Sequence, residues 1–172
     1  MLDPNDRVMI FIDGSNLFHA CKAFREGFKV DYEKLRDALT SGRKLIRAYF
    51  YGSINQFESK IMEKQIKFHD ALRSKGFQVE VKRLKKRSEK PIEKGVDVAL
   101  VTDMLSLGFK RVYDVAILVS GDSDFVRAIE KLKSEGIRVE VAMFKVATGP
   151  DLAKVADRYI ALDDIANQIE LK

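Results

Sequence analysis

Five short runs of β-branched and aromatic residues alternate with segments of helical spacing, and this alternation restricts the fold more than any other feature. The runs lie at residues 8–12, 45–51, 77–84, 112–119 and 137–144. Apolar residues spaced three and four positions apart mark helical segments at residues 34–40, 56–74, 96–107 and 125–135. Strands that alternate with helices form βαβ units with parallel strands. The pattern predicts an α/β fold with a parallel sheet of five to six strands sandwiched between helices, in three layers of the Rossmann type.

Two runs are apolar throughout, and we expect them to be the central strands. Residues 8–12 (VMIFI) and 115–119 (VAILV) contain no polar side chain, as in strands that helices cover on both faces. Run 77–84 alternates more and carries charge, which favours a position nearer the edge of the sheet. Glycine is expected to follow the last turn of four helices; these glycines are Gly42, Gly76, Gly108 and Gly136.

Composition bounds the size and the environment of the protein. The 172 residues, 46% of them hydrophobic, fit one domain with a core at 8–144 and a C-terminal capping segment at 145–172. The net charge of +5 permits a polyanionic partner without requiring one. The single cysteine, Cys21, excludes an intrachain disulfide. No apolar run approaches the ~20 residues of a membrane helix, and the start MLDPNDR does not resemble a signal peptide. We therefore expect a soluble, cytoplasmic protein.

Carboxylates stand at the carboxyl ends of both central strands. Asp13 comes one residue after run 8–12, and Asp122 comes three residues after run 112–119. In an open α/β sheet, ligands bind in the crevice outside the carboxyl ends of the strands. If these two strands are neighbours, Asp13 and Asp122 share that crevice.

Asp97 supplies a third carboxylate. A stripe of helical segment 96–107 begins with it and continues through Leu100, Val101, Met104, Leu105 and Gly108. A carboxylate on the sheet-facing side of a helix is costly without a partner, and a helix N-terminus offsets only roughly 0.3–1 kcal/mol. Asp97 is therefore a candidate ligand. Asp103 lies about 240° around the same helix, at 100° per residue, and is expected to be solvated or to act as a cap.

Three carboxylates in one crevice indicate a cation. Two of them 4 Å apart repel each other by about 4 kcal/mol at an effective dielectric constant of 20, and a hard divalent cation reverses the sign of that energy. Oxygen ligands without a paired histidine or cysteine favour Mg²⁺ or Mn²⁺ over Zn²⁺. Ser15, Asn16 and Ser120 are expected to orient the carboxylates or to bind the metal through water.

Helix capping is the simpler alternative for several of these residues. Asp13, Ser15 or Asn16 could cap a helix after the first strand, and Asp122 or Asp124 could cap the helix that starts near residue 125. Capping accounts for each residue singly but leaves Asp97 unexplained. For Asp124 both interpretations stay open.

The stretch KRLKKRSEKPIEKG, at residues 82–95, is the one segment that resembles a linker. It has no helical period and should emerge from the carboxyl edge of its strand. We expect its cations to hold a nucleic-acid backbone, although a solvated charge run is the alternative; the candidates are Lys85, Lys86, Arg87 and Lys94. The aromatic residues 49–51 could stack a base at the same edge or belong to the core.

Three pieces of the chain together resemble the NYN domain of the PIN-like nuclease superfamily, in its LabA-like branch. They are IFIDGSNLF, KGVDVALVTDML and LVSGDSDFVRAIEKLKSEGIRVEV, in this order, across residues 8–144. The resemblance implies a PIN-like parallel sheet between helices, an acidic pocket for Mg²⁺ or Mn²⁺, and RNA phosphodiester hydrolysis in active members. It implies Asp13, Asp97 and Asp122 as the metal carboxylates, assisted by Asp124, with Asn16 and Ser120 as pocket residues. PIN-like domains often pair, so a homodimer is a further expectation.

Two other functions remain open from the sequence. A regulatory module of the same fold would bind RNA or a protein without hydrolysing it. A receiver-type phosphotransfer domain would need a phosphorylatable aspartate at a strand end, with a lysine and a serine or threonine on neighbouring strands. Neither glycine-rich signature for binding phosphate, G-x-G-x-x-G or G-x-x-x-x-G-K-[ST], occurs in the chain.

Overall fold

A parallel six-stranded sheet forms the centre of the computed structural model, which describes residues 2–172. The strands are β1 (Arg7–Asp13), β2 (Lys44–Ile54), β3 (Gln78–Arg83), β4 (Lys85–Arg87), β5 (Lys90–Ile92), β6 (Val115–Val119), β7 (Arg138–Met143) and β8 (Arg158–Ala161). The order in the sheet is β3-β2-β1-β6-β7-β8, and each strand pairs in parallel with its neighbours. β4 and β5 form a separate antiparallel hairpin.

Helices cover both faces of this sheet. They are α1 (Gly14–Phe24), α2 (Tyr32–Thr40), α3 (Ser59–Ser74), α4 (Val96–Phe109), α5 (Val126–Ser134), α6 (Pro150–Val155) and α7 (Ala166–Ile169). Alternate side chains of β1 enter two separate hydrophobic clusters, Ile10 with residues of α1 and α2, and Phe11 with residues of α4 and α5. A strand that is buried on both faces needs apolar side chains at every position. The predicted three-layer α/β fold is confirmed.

The relative positions of the strands agree with their composition. β1 and β6 are neighbours in the middle of the sheet, and their register places Ile12 opposite Val119. Their carboxyl ends therefore lie side by side, which brings Asp13 and Asp122 to one crevice. β3 is an edge strand, as its alternating, charged sequence indicates.

Most of the stretch 82–95 is the hairpin of β4 and β5, and not a linker. Its turn residues Ser88 and Glu89 both have positive φ, 49° and 65°, as a two-residue turn between antiparallel strands requires. The Asn-Gly or Asp-Gly pair that usually marks such a turn is missing, so no local pattern indicates a hairpin here. The interpretation of this stretch as linker-like was wrong for this reason.

Gly108 differs from the other three glycines that were expected to follow helices. Gly42, Gly76 and Gly136 follow their helices with positive φ. Gly108 lies within α4, where an added Cβ would stand 2.6 Å from Oη of Tyr113. The small residue is therefore required by close packing and not by the end of the helix.

Two expectations about polar and aromatic side chains change with the structure. Phe50 and Tyr51 are buried in the core, so the alternative of base stacking at residues 49–51 does not hold for them. Tyr51 donates a hydrogen bond of 2.9 Å from its hydroxyl to Asp103. Asp103 is thus half-buried and does not act as a cap, because one of its oxygens is the partner of a buried hydroxyl.

The C-terminal segment, residues 145–172, adds the last strand to the sheet. β8 pairs with β7, and α7 then returns to pack against α2. No helix among residues 2–172 is both long enough and apolar enough to cross a membrane.

Candidate functional site

An open, polar pocket of about 450 Å³ lies at the carboxyl ends of β1 and β6. Three segments of the chain line it: the end of β1 with the first turns of α1, the segment from β5 into α4, and the residues after β6. Its lining residues are Asp13, Ser15, Asn16, His19, Glu93, Lys94, Gly95, Val96, Asp97 and Asp122. The structure therefore brings together the three predicted metal carboxylates.

Asp13 is the most buried carboxylate of the pocket, with only 8% of its surface exposed. It is the last residue of β1 and the N-cap of α1, where Oδ1 accepts a hydrogen bond of 3.3 Å from the amide N–H of Asn16. Oδ2 accepts a hydrogen bond of 3.2 Å from the hydroxyl of Ser120. Asp13 is thus both a helix cap and a pocket residue, so the two interpretations are compatible.

Burial raises the pKa of Asp13 to about 6. Desolvation is the largest cause, since a buried carboxylate loses its hydration when it is charged. The Asn16 amide and the Ser120 hydroxyl lower this pKa, whereas the negative charges of Glu93 and Asp122 raise it further. A bound cation would neutralise the negative charge of Asp13, which its uncharged hydrogen-bond partners cannot do.

The residues after β6 are fixed to the start of α1. Ser120 is fully buried, and its Oγ also accepts a hydrogen bond of 3.2 Å from the amide N–H of Asp122. Asn16 accepts, through Oδ1, a hydrogen bond of 2.9 Å from the amide N–H of Gly121. An added Cβ at Gly121 would lie 1.7 Å from the carbonyl oxygen of Ala147. Hydrogen bonds and close packing together hold this edge of the pocket in place.

Asp122 and Asp124 have different positions although they are two residues apart. Asp122 lines the pocket and, through Oδ1, accepts a hydrogen bond of 2.9 Å from the amide N–H of Asp124. Asp122 therefore caps the short turn before α5 through Oδ1, while its Oδ2 takes no part in this hydrogen bond. Asp124 is exposed and does not line the pocket.

Asp97 lies in the first turn of α4, at the N-terminal end of its sheet-facing side, but is not itself buried. The buried positions of this helix are Val96, Leu100, Met104 and Gly108, and the last three of these belong to the predicted stripe. Asp97 is exposed and lines the pocket. The prediction that burial forces Asp97 to take a partner was wrong, because α4 begins at the pocket and its first turn is open to solvent.

Two pocket residues with ionisable side chains, Glu93 and His19, were not predicted from the sequence. Glu93 was overlooked within a basic stretch, yet it follows β5 directly and accepts a hydrogen bond of 2.9 Å from Ser53. His19 lies four residues after Ser15 in α1, so both face the pocket from one side of the helix. Recognition of α1 as a helix would have pointed to His19, since Ser15 was already a candidate.

The pocket carboxylates share one space without converging on one point. Among residues 2–172, no three side chains of histidine, cysteine, aspartate or glutamate stand close enough together to hold a metal ion as they are. Asp97 and Glu93 are exposed, so their side chains have room to rotate. Metal binding in this pocket therefore requires side-chain rearrangement.

The predicted RNA-binding cations fall into two places. Lys94 lines the pocket, whereas Lys85, Lys86 and Arg87 form the exposed strand β4 of the hairpin. The hairpin is held at its base, where the Leu84 amide donates to Ile54 and the Gln56 side chain donates to the Leu84 carbonyl. The three hairpin cations therefore do not line the pocket.

Comparison with known proteins gives consistent matches over most of the chain. The family model for the NYN domain matches residues 7–163. The low amplitude and bright protein LabA of Synechococcus elongatus is 32% identical, over 95% of this chain and 88% of that protein. An uncharacterized protein of Methanocaldococcus jannaschii is 28% identical over 92% of this chain, which spans 56% of that relative's length. The crystal structure of a protein of unknown function from Vibrio parahaemolyticus has a TM-score of 0.81, with 26% identity and 99% coverage of both chains.

Proposed function

The chain belongs to the NYN-domain family, and from this membership and the pocket geometry we propose that it is a divalent-metal-dependent nuclease that hydrolyses RNA. The family lies within the PIN-like nuclease superfamily, which suggests a nuclease. The observation that carries the metal assignment is Asp13, a buried carboxylate with other carboxylates nearby and only neutral hydrogen-bond partners.

The donor set of the pocket fits Mg²⁺ or Mn²⁺. Its charged oxygen donors are Asp13, Asp97, Asp122 and Glu93, and hard divalent cations prefer carboxylate oxygens and water. We assign Asp13, Asp97 and Asp122 as the residues that would hold the ion. When bound, the ion would polarise a phosphoryl oxygen and lower the pKa of a coordinated water.

The remaining pocket residues have supporting roles in this proposal. Ser120 and the Asn16 amide keep both oxygens of Asp13 oriented, and Ser15, which lines the pocket, would bind the ion through water. Asp124 contributes through its amide, which fixes one oxygen of Asp122. Lys94 contributes a positive charge to an otherwise acidic pocket and would contact a phosphate of the substrate.

The hairpin would hold the RNA backbone outside the pocket. Lys85, Lys86 and Arg87 are exposed on one short strand, and clustered cations bind phosphates by releasing condensed counterions. This binding is independent of base sequence, so the hairpin adds affinity and leaves the chemistry to the carboxylates.

Cleavage of an end-labelled, partly single-stranded RNA with Mn²⁺ or Mg²⁺ tests the proposal. We expect the wild type to cut, and Asp97→Asn or a chelator to abolish cutting. Asp151→Asn is the matched control, since Asp151 is also an exposed aspartate in the first turn of a helix. Cutting that survives Asp97→Asn would contradict the assignment of Asp97. RNA binding without any cutting by the wild type would instead support a catalytically silent binding module.

A further inference from the structure

An exposed phenylalanine stands on the rim of the acidic pocket. Phe18 of α1 is 55% exposed, and its ring centroid lies 5.6 Å from that of the pocket residue His19. Nζ of Lys22 lies over the Phe18 ring, 4.4 Å from its centroid. Ser15, Phe18, His19 and Lys22 occur at i, i+3, i+4 and i+7, so they form one ridge of the helix.

A second exposed phenylalanine has the same arrangement at the base of the hairpin. Phe57 is 41% exposed, and Nζ of Lys86 lies 4.5 Å from its ring centroid. Its amide N–H donates a hydrogen bond of 3.1 Å to Asn55, which fixes the loop after β2. Because β2 is parallel to its neighbour β1, Phe57 and Phe18 both follow strand ends at the same edge of the sheet.

These paired features suggest a ligand that offers both a flat apolar face and a negative charge. Each ring has a large exposed area, and each has a lysine that a phosphate could draw away from it. Nucleic-acid strands present this alternation of base and phosphate, and aromatic side chains stack on unpaired bases with little regard to sequence. A duplex keeps its bases stacked inside the helix and cannot cover the two rings.

We propose that the Phe18–Lys22 and Phe57–Lys86 pairs are two base-stacking positions for single-stranded RNA whose backbone passes through the acidic pocket. This inference rests on the proposed nuclease function and specifies its substrate as unpaired. At each position a base takes the place of the lysine over the ring, and the lysine turns to the adjoining phosphate.

The chain contains a matched control for these two positions. Phe109 is 50% exposed, and no cation lies over its ring among residues 2–172. It is the last residue of α4, whose first turn lines the pocket. At 1.5 Å per residue, Phe109 is roughly 20 Å from that turn. An RNA strand bound in the pocket is therefore not expected to stack a base on Phe109.

The proposal is tested by measuring the affinity of the full chain for fluorescently labelled RNA by anisotropy. The measurement is made once with a chelator and once with Ca²⁺. The ligands are a single strand, the same strand with abasic sugars, and a duplex of the same length. We expect Phe18→Leu and Phe57→Leu each to weaken single-strand binding about tenfold. Phe18→Tyr, Phe57→Tyr and Phe109→Leu should bind as the wild type does, and affinity for the abasic strand and the duplex should not change.

Three results would overturn the proposal: unchanged single-strand affinity in both leucine variants, an equal loss on the abasic strand, or no preference of the wild type for the single strand. Thermal melting of each variant confirms that it is folded. Cleavage with Mn²⁺ on the same variants separates this proposal from the nuclease function. Stacking-dependent binding without cleavage would support the two stacking positions and contradict the nuclease function. Cleavage that is unchanged in both leucine variants would support the nuclease function and contradict the stacking positions.

Discussion

Ser120 donates its hydroxyl to Oδ2 of Asp13 across 3.2 Å, and this bond joins the carboxyl ends of the two central strands. Ser120 is fully buried and Asp13 nearly so. The bond favours the charged form of Asp13, but burial outweighs it and leaves the pKa of this carboxyl raised to about 6. The pocket is thus destabilised by its own central carboxylate when no cation is present.

Asp13→Asn should stabilise the metal-free protein at neutral pH. The folded-state pKa of about 6 exceeds the ordinary 3.8, so the folded chain binds the proton more tightly. Stability should therefore fall as pH rises from about 4 to 6, by about 3 kcal/mol in total. Asparagine also caps helices and carries no charge to desolvate. Melting curves at pH 4 and pH 7.5 should show a higher Tm for the variant only at pH 7.5.

With a divalent cation present, the wild type should have a higher Tm than Asp13→Asn. Mn²⁺ should raise the Tm of the wild type at pH 7.5 and leave Asp13→Asn nearly unchanged, because binding to the folded state alone adds stability. Equal Tm shifts in the two proteins would show that the ion binds elsewhere.

Arg43 and Glu140 form a buried ion pair that is not part of the acidic pocket. Its disruption should destabilise the protein. Their side chains meet at 2.8 Å and 2.9 Å in a bidentate contact, and Arg43 also donates to the Leu39 and Thr40 carbonyls. Glu140→Gln should lower the free energy of unfolding by roughly 3–5 kcal/mol, since it leaves a buried guanidinium uncompensated. Urea denaturation measures the loss.

The control for this prediction is the second, more exposed partner of Glu140. Arg158 approaches Glu140 at 3.6 Å with its side chain partly in solvent. Arg158→Gln should cost less than about 1 kcal/mol, as for exposed pairs. A cost equal to that of Glu140→Gln would mean that the stability does not come from the buried contact.

Hairpin cations should contribute to RNA affinity in a salt-dependent manner. Removing one phosphate contact lowers the slope of log K against log salt by about 0.7 for a single strand. Lys85→Gln with Arg87→Gln should therefore reduce the slope by about 1.4 and weaken all sequences alike. Titrations at several salt concentrations measure this. Lys67→Gln, an exposed lysine paired with Glu63 on α3, should leave the slope unchanged.

The sequence predicted the sheet well because burial on both faces leaves a clear signal. Residues 8–12 and 115–119 became the adjacent central strands, and the aspartates after them met in one pocket. Asp97 reached the pocket for a different reason from the predicted one. Spacing correctly placed Leu100, Met104 and Gly108 on the buried side of α4, but it could not show that Asp97, at the start of this helix, is open to solvent at the pocket.

Contacts between distant segments account for what the sequence did not show. Glu93 enters the pocket because the hairpin folds back and Ser53 holds its carboxylate. The turn at Ser88 and Glu89 adopts its conformation without glycine. Tyr51 reaches Asp103 across 52 positions of the chain. The Ser53–Glu93 and Tyr51–Asp103 contacts have no local pattern, since each joins segments that only the folded chain brings together, and the turn lacks the residues that usually mark it.

The self-contained hairpin has a consequence for how this fold can diversify. β4 and β5 pair only with each other, so an insertion or deletion there leaves every rung of the parallel sheet in register. Relatives can therefore exchange or lengthen this arm while the carboxyl ends of β1 and β6, with Asp13 and Asp122, keep their positions.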